Sequence, residues 1–276
     1  MSFEHRAIDT LINSSFLSAG DGGGGLTYLF KDMANRPKIE APSDLIEHLN
    51  SCNIGAAVVS IMESGHAEWV AQAHEEYPAK ILPAMIVDPT KGIDEIRRVR
   101  QYAEECGVRC LRIPPFRYTL PPTDRVYWPF YVLAIEMNMA VSMNAGMPGP
   151  RRPGWVQNPI HYDEVAFHFP ELRLVMTHCG QPWTEEVIST ITHWDNVYMS
   201  CTAVAPKYWP ENFVHFINTR GREKMMFGTE FPTIDWQRGR EEADGLSLRD
   251  NVAPLFFSEN AKRAFDWDPD LSLIHI

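Results

Sequence analysis

The sequence predicts an α/β chain folded as one TIM-like (β/α)8 barrel. Three observations lead to that class. Eight short apolar runs alternate with segments of helical periodicity, which calls for a parallel sheet joined by right-handed crossovers. Eight such units within a chain of 276 residues match the roughly 250 residues of a closed barrel. The competing doubly wound sheet should carry a glycine fingerprint in the turn that leads from its first strand into a helix; the glycines of Gly20–Gly25 open no clear helix, so that fingerprint is not present. No break in composition marks a boundary, so residues 1–276 read as a single domain.

The elements follow in order. Ala7–Ile12 reads as the first buried strand. Gly20–Gly25 (GDGGGG) comes next. It lacks the Lys-Ser/Thr of a phosphate loop and reads more simply as a mobile loop. Pro42-Ser43 opens a helix with Leu45, Ile46 and Leu49 on one face and Ser43 as its expected N-cap. Strands are expected at Ala56–Ile61, Ile81–Val87, Val108–Ile113 and Ala140–Met143, with helices at His66–Tyr77, Ile93–Cys106 and Tyr127–Met137 between them. The segment Gly146–Pro159 is too rich in Pro and Gly for regular structure. The helix His161–His168 leads to strand Leu172–Thr177. Helix Thr184–His193, strand Val197–Cys201, helix Pro210–Asn218 and strand Lys224–Gly228 complete the count. Helices near Leu248–Phe257 and Glu259–Phe265 close the chain. The end Leu271–Ile276 is unusually apolar, and reads as a segment that docks on a partner, as an addition foreign to the fold, or as the mark of a truncation.

Composition narrows the function. The formal net charge of −11 disfavours nucleic acid and anionic membrane surfaces as partners. The five cysteines, Cys52, Cys106, Cys110, Cys179 and Cys201, are odd in number and form no CxxC pair, as expected of reduced thiols. The first residues carry no apolar signal segment, and no run reaches the roughly 18 apolar residues of a membrane span. A cytoplasmic protein acting on a small molecule is the expectation.

The chemistry-bearing stretch is Glu171–Trp183. An apolar strand ends abruptly in Thr177-His178-Cys179-Gly180, which puts an imidazole at the carboxyl edge of the sheet, where α/β folds bind ligands. Glu230 follows the eighth strand and should enter the same mouth. Cys179 is adjacent to His178, and neighbours on a strand face opposite ways, so the two are not expected to form a nucleophile pair.

The order of segments resembles the amidohydrolase-related family that includes the aminocarboxymuconate-semialdehyde and resorcylate decarboxylases. The resemblance rests on Ile8-Asp9-Thr10, Phe169-Pro170-Glu171-Leu172, Thr177-His178-Cys179-Gly180, Pro182-Trp183, Asn196-Val197-Tyr198, Asn218-Thr219-Arg220-Gly221 and Lys224–Pro232, and runs from about residue 7 to residue 266. It implies a TIM-like barrel and a divalent metal (Zn, Mn or Fe) held at strand ends. The family's His-x-His pair falls on Leu11 and Asn13, its strand-five histidine on or near Asn144, its strand-six histidine on His178 and its strand-eight aspartate on Glu230. Leu11 cannot ligate, and Asn13 is a weak oxygen donor. The implied metal set is thus reduced to His178, Glu230 and Asn13. A differently built site recruiting Asp9 or Glu63, or no metal at all, are the alternatives.

Without a metal, His178 and Glu230 can still form an acid–base pair. Arg112, Arg151 or Arg152 can clamp a substrate carboxylate, with Asn144 and Trp183 also expected to touch substrate. Arg112 is flanked by Leu111 and Ile113 and can equally face outward as a surface charge. Trp155, Trp183, Trp209 and Trp236 either line a pocket or pack between helices. Two functions follow: a hydrolase or decarboxylase of a small carboxylated or carbonyl substrate, or an accessory subunit that pairs with a metal-containing paralogue. The chain is expected to form a homo-oligomer or a hetero-oligomer with such a barrel. Under the enzyme reading, Glu230→Gln is expected to abolish turnover with little loss of melting temperature.

Overall fold

A computed structural model describes residues 4–18 and 38–272. The stretch Gly20–Gly25, expected from sequence to be a loop, lies outside the described residues, as do the last four residues of the chain. Eight parallel strands lie side by side in sequence order, β1 (Ala7–Asn13), β2 (Ile54–Ile61), β3 (Ile81–Ile86), β4 (Cys110–Ile113), β5 (Ala140–Asn144), β6 (Leu174–Thr177), β7 (Val197–Cys201) and β8 (Met225–Phe227). Between and after them run α1 (Pro42–Ser51), α2 (Ala67–Glu76), α3 (Ile93–Cys106), α4 (Trp128–Glu136), α5 (His161–His168), α6 (Thr184–His193), α7 (Glu211–Ile217), α8 (Trp236–Asp244) and α9 (Asn260–Phe265). This is a TIM barrel.

The first and last strands are joined mainly by side chains. Thr10 Oγ1 donates to the Phe227 carbonyl at 2.7 Å and lies 2.7 Å from Ser200 Oγ. Higher up, Asn13 N–H donates to the Phe231 carbonyl at 2.7 Å, beside a bridge between Ile12 and Phe231. The buried Asp9 carboxylate accepts from Leu11 N, Thr229 N, the Thr229 hydroxyl and Trp236 Nε1. Burial pushes its carboxyl up to about 6 against the pull of those four donors. Gly228 fits this seam because a Cβ there would lie 2.5 Å from Thr202 Cγ2 and 2.6 Å from Thr10 Oγ1.

Strand alternation sorts the core into two shells. Ile8, Val58, Leu82, Cys110, Ala140, Val175 and Met226 fill the barrel interior. Their neighbours, including Val59, Met85, Leu111, Val141, Met176 and Phe227, face the helices. Ala261, Ala264 and Phe265 of α9, with Trp267, plug the floor of the barrel. Leu271 packs there too, close against Gly55, and the Lys80 ammonium ties down the carbonyls of Asp270 and Ser272. The part of the tail that is described therefore docks on its own barrel.

Two expectations change. Ser43 is not the N-cap of α1; Ala41 holds that place and Pro42 the first helical position. The free donors of this turn are met instead by Asp44, which accepts from Ala41 N at 2.8 Å and Glu40 N at 2.9 Å. The expected helix near Leu248–Phe257 begins only at residue 253 and runs through a π-helical turn at Leu255–Glu259 into α9, whereas α8 forms in a stretch to which the sequence assigned no element. That stretch holds Gly239, a poor helix former. A Cβ there would stand 3.0 Å from Thr229 Cγ2, so close packing on the barrel accounts for the glycine. Asp235 caps α8 by accepting from Arg238 N.

Candidate active site

The parity of each strand decides what enters the mouth. In β4 the inward face carries Cys110 and then Arg112, while Leu111 and Ile113 meet the helices. Arg112 is accordingly 3% exposed, buried inside the barrel and not on its outer surface. Asn144 ends β5 two residues beyond Ser142, and both are buried. His178 and Glu230 lie just past the ends of β6 and β8. Both have left-handed backbones, with φ of 71° and 58°. So do Cys179 at 58° and Ala203 at 63°. For residues with a Cβ this conformation costs on the order of 1–3 kcal/mol each, and such strain gathers at functional sites.

These elements bring four side chains together. Arg112 donates from Nη1 to Asn13 Oδ1 and from Nη2 to Glu230 Oε1, the latter at 2.7 Å. The same Glu230 oxygen lies 3.4 Å from His178 Nε2. On its far side His178 is held by Thr202, whose Oγ1 is 3.0 Å from Nδ1 and accepts from His178 N–H at 3.2 Å. Thr202 Oγ1 can also donate to the Ser200 carbonyl at 3.3 Å. If it does so, Nδ1 carries the imidazole proton and Nε2 has a free lone pair; if it donates to Nδ1, Nε2 carries the proton towards Glu230. One hydroxyl thus supports both tautomers.

Burial pushes the His178 imidazole down to about 4; Glu230 pulls it up and Arg112 pushes it down further. His178 is therefore neutral at physiological pH. Burial also lowers the Arg112 guanidinium from its ordinary value, opposed by the Glu230 charge. Arginine starts so high that it stays charged. The site is a fixed cation, a carboxylate and a neutral imidazole in line.

The line opens into a cavity of about 660 Å³ at the carboxyl ends of the strands. Asn13, Arg112, Asn144, His178 and Glu230 are all on its wall. Apolar surface comes from Met62, Ile86, Pro114, Phe116, Met147, Val204 and Ile234. Arg151 and Trp183, also expected to bind substrate, are not part of this wall, and neither is Arg152. Trp155 is 55% exposed, while Trp209 and Trp236 are buried, Trp236 stacked 3.7 Å from the Phe231 ring. Asp9 is consumed by its four donors, and Glu63 is exposed and off the wall. The Cys179 thiol is buried, and burial pushes it well above its ordinary value.

Three contributors escaped the sequence reading: Thr202, Arg117 and Arg238. Thr202 was legible as the residue two past Ser200, on the same face. Arg117 follows the Pro-Pro pair that stops β4. Arg238 sits on α8, the helix not foreseen, and its Nε donates to Glu242 at 2.8 Å.

The divalent metal implied by the family resemblance does not fit these residues. Among the described residues, no group of three or more His, Cys, Asp or Glu is placed to hold an ion. Two of the three proposed donors, Asn13 Oδ1 and Glu230 Oε1, already accept from the Arg112 guanidinium. A transition metal needs about three firm ligands, and here a cation would face another cation.

The amidohydrolase family profile matches residues 53–267, and the chain belongs to that family of enzymes. Comparison with curated protein sequences finds no match. Among solved structures, an uncharacterised TIM-barrel protein from Bordetella bronchiseptica is 20% identical with a TM-score of 0.76, over 95% of this chain and 98% of that one. A dihydroxybenzoic acid decarboxylase from Polaromonas, with bound manganese and the inhibitor 2-nitroresorcinol, is 12% identical with a TM-score of 0.68, over 95% and 97%. A probable 2-pyrone-4,6-dicarboxylic acid hydrolase from Acinetobacter baumannii, with citric acid bound, is 14% identical with a TM-score of 0.62, over 95% and 100%. At these identities the likeness establishes the fold.

Proposed function

We propose that the chain is a hydrolase or decarboxylase of a small carboxylated or carbonyl substrate, with Glu230 and His178 as its acid–base pair and no metal in the chemical step. One observation carries this reading. A partly buried carboxylate lies between a fixed guanidinium at 2.7 Å and a neutral imidazole at 3.4 Å, on the wall of a cavity large enough for a small ring compound. Enzymes separate acid and base roles by placing such groups in unlike surroundings.

In hydrolysis, Glu230 takes a proton from water, the hydroxide adds to the carbonyl carbon, and Arg112 stabilises the oxyanion. His178 in its Nε2–H form then protonates the leaving oxygen. In decarboxylation, the carbon–carbon bond breaks as CO2 departs, and the pair delivers the proton that replaces it. Arg117, on the cavity wall and exposed to solvent, is suited to attract the substrate's carboxylate. The activities of two structural neighbours, a decarboxylase and a probable hydrolase of carboxylated rings, agree with this substrate class.

The test is a panel of hydroxybenzoates and pyrone carboxylates, assayed with chelator present by ultraviolet absorbance and CO2 release. Turnover of one class that disappears in both Glu230→Gln and His178→Asn supports the reading. The second reading, an accessory subunit of a hetero-oligomer, is favoured by Leu11, buried and unable to ligate where the family resemblance places a histidine. Stable capture of a metal-loaded paralogue in native mass spectrometry, with no turnover by this chain alone, would favour it instead.

A further inference from the structure

We infer that Arg112 is this barrel's built-in cation: its guanidinium takes the oxygen donors that a divalent ion would use and shuts such an ion out. The inference is about what the site binds, and it rests on the proposed function only for its catalytic meaning.

The donor atoms make the case. Asn13 Oδ1 and Glu230 Oε1 come from opposite ends of the chain, converge on one point in the barrel mouth, and both accept from Arg112. His178 Nε2 lies 3.4 Å from the same Glu230 oxygen, so the third nitrogen or oxygen that could join a coordination sphere is already at hand. What fills the meeting point is a guanidinium that is 3% exposed. A metal drawn to these atoms would have to displace Arg112, and the guanidinium's covalent tether to β4 leaves it next to the incoming charge. The Arg112 Nε is also buried without a hydrogen-bond partner, so the group is placed for its ion pair at the expense of its own full satisfaction.

The replacement is not neutral chemically. A divalent ion supplies charge and also lowers the pKa of bound water. A guanidinium supplies charge and directed N–H donors but cannot ligate hydroxide. Proton removal therefore falls to Glu230, and the charge at the site neither dissociates nor exchanges with solution.

The experiment is a manganese titration of the full, metal-stripped chain. Free Mn2+ is followed by electron paramagnetic resonance and the melting temperature by calorimetry. The wild type should leave Mn2+ free and show no shift in melting temperature. The double variant Asn13→His, Arg112→Met frees Glu230 and supplies another imidazole; it should bind about one equivalent of Mn2+ and melt higher with it. One equivalent bound by the wild type and lost in Glu230→Gln would overturn the inference, as would a folded double variant that binds none. One equivalent of Mn2+ on the wild type overturns the inference even if the double variant does not fold. Because no substrate is needed, the outcome is separable from the enzyme reading: an empty panel leaves the metal result standing, and a manganese-binding wild type can still turn over substrate.

Discussion

Arg112 and Glu230 stand 118 residues apart in the sequence and 2.7 Å apart in the barrel mouth, where their side chains are 4% and 13% exposed. That pairing sets both the charge and the stability of the site.

The pair should couple strongly. Removing one partner of a buried ion pair leaves an uncompensated charge and costs about 3–5 kcal/mol. Arg112→Met and Glu230→Gln are each expected to destabilise by about that much in urea unfolding. The double variant should cost less than the sum by more than about 1 kcal/mol. This revises the expectation from sequence that Glu230→Gln would leave the melting temperature almost unchanged; that expectation lacked the buried arginine. Additive costs would mean that the pair is not coupled in solution.

The acid limb of stability should report His178. Its folded value of about 4 lies below the ordinary 6.5, so the unfolded chain binds more protons between those limits. Stability from this group is full above pH 6.5 and is lost as pH falls towards 4, on the order of 3 kcal/mol in total. Asp9 works the opposite way, since its folded value of about 6 lies above the ordinary 3.8. The difference between wild type and His178→Asn isolates the histidine. A difference that does not change between pH 4 and 6.5 would contradict the neutral imidazole.

Thr202 should act through His178. Its hydroxyl receives the His178 amide and faces Nδ1 at 3.0 Å. Thr202→Val keeps the shape and removes the tautomer control, so kcat is expected to fall about 10-fold or more while KM changes little. Equal losses in kcat and in binding would point to a general distortion of the mouth.

The floor should matter as much as the mouth. Phe265 is 1% exposed among the side chains that plug the barrel, and Phe265→Ala is expected to cost about 3–5 kcal/mol through the cavity it leaves. A loss below about 1 kcal/mol would mean that α9 does not close the barrel.

The barrel was legible because apolar runs and helical periods repeat with little interference, and because His178 and Glu230 each follow a recognisable strand. What stayed hidden is physical in origin. A strand buried on both faces shows no polar–apolar alternation, so β4 alone gives no parity and Arg112 could not be turned inward from its neighbours. The α8 helix was masked by Gly239, whose reason is the distant Thr229 side chain. The Asn13–Arg112–Glu230 convergence joins strands one, four and eight and has no local signature.

The most direct test of the central claim is kcat/KM for the panel's best substrate, measured after exhaustive chelation in wild type and Glu230→Gln. The account predicts full turnover in the chelated wild type and a loss of about 10²–10⁴-fold in the variant. Turnover that vanishes on chelation and returns with Mn2+, or that survives intact in Glu230→Gln, would contradict it.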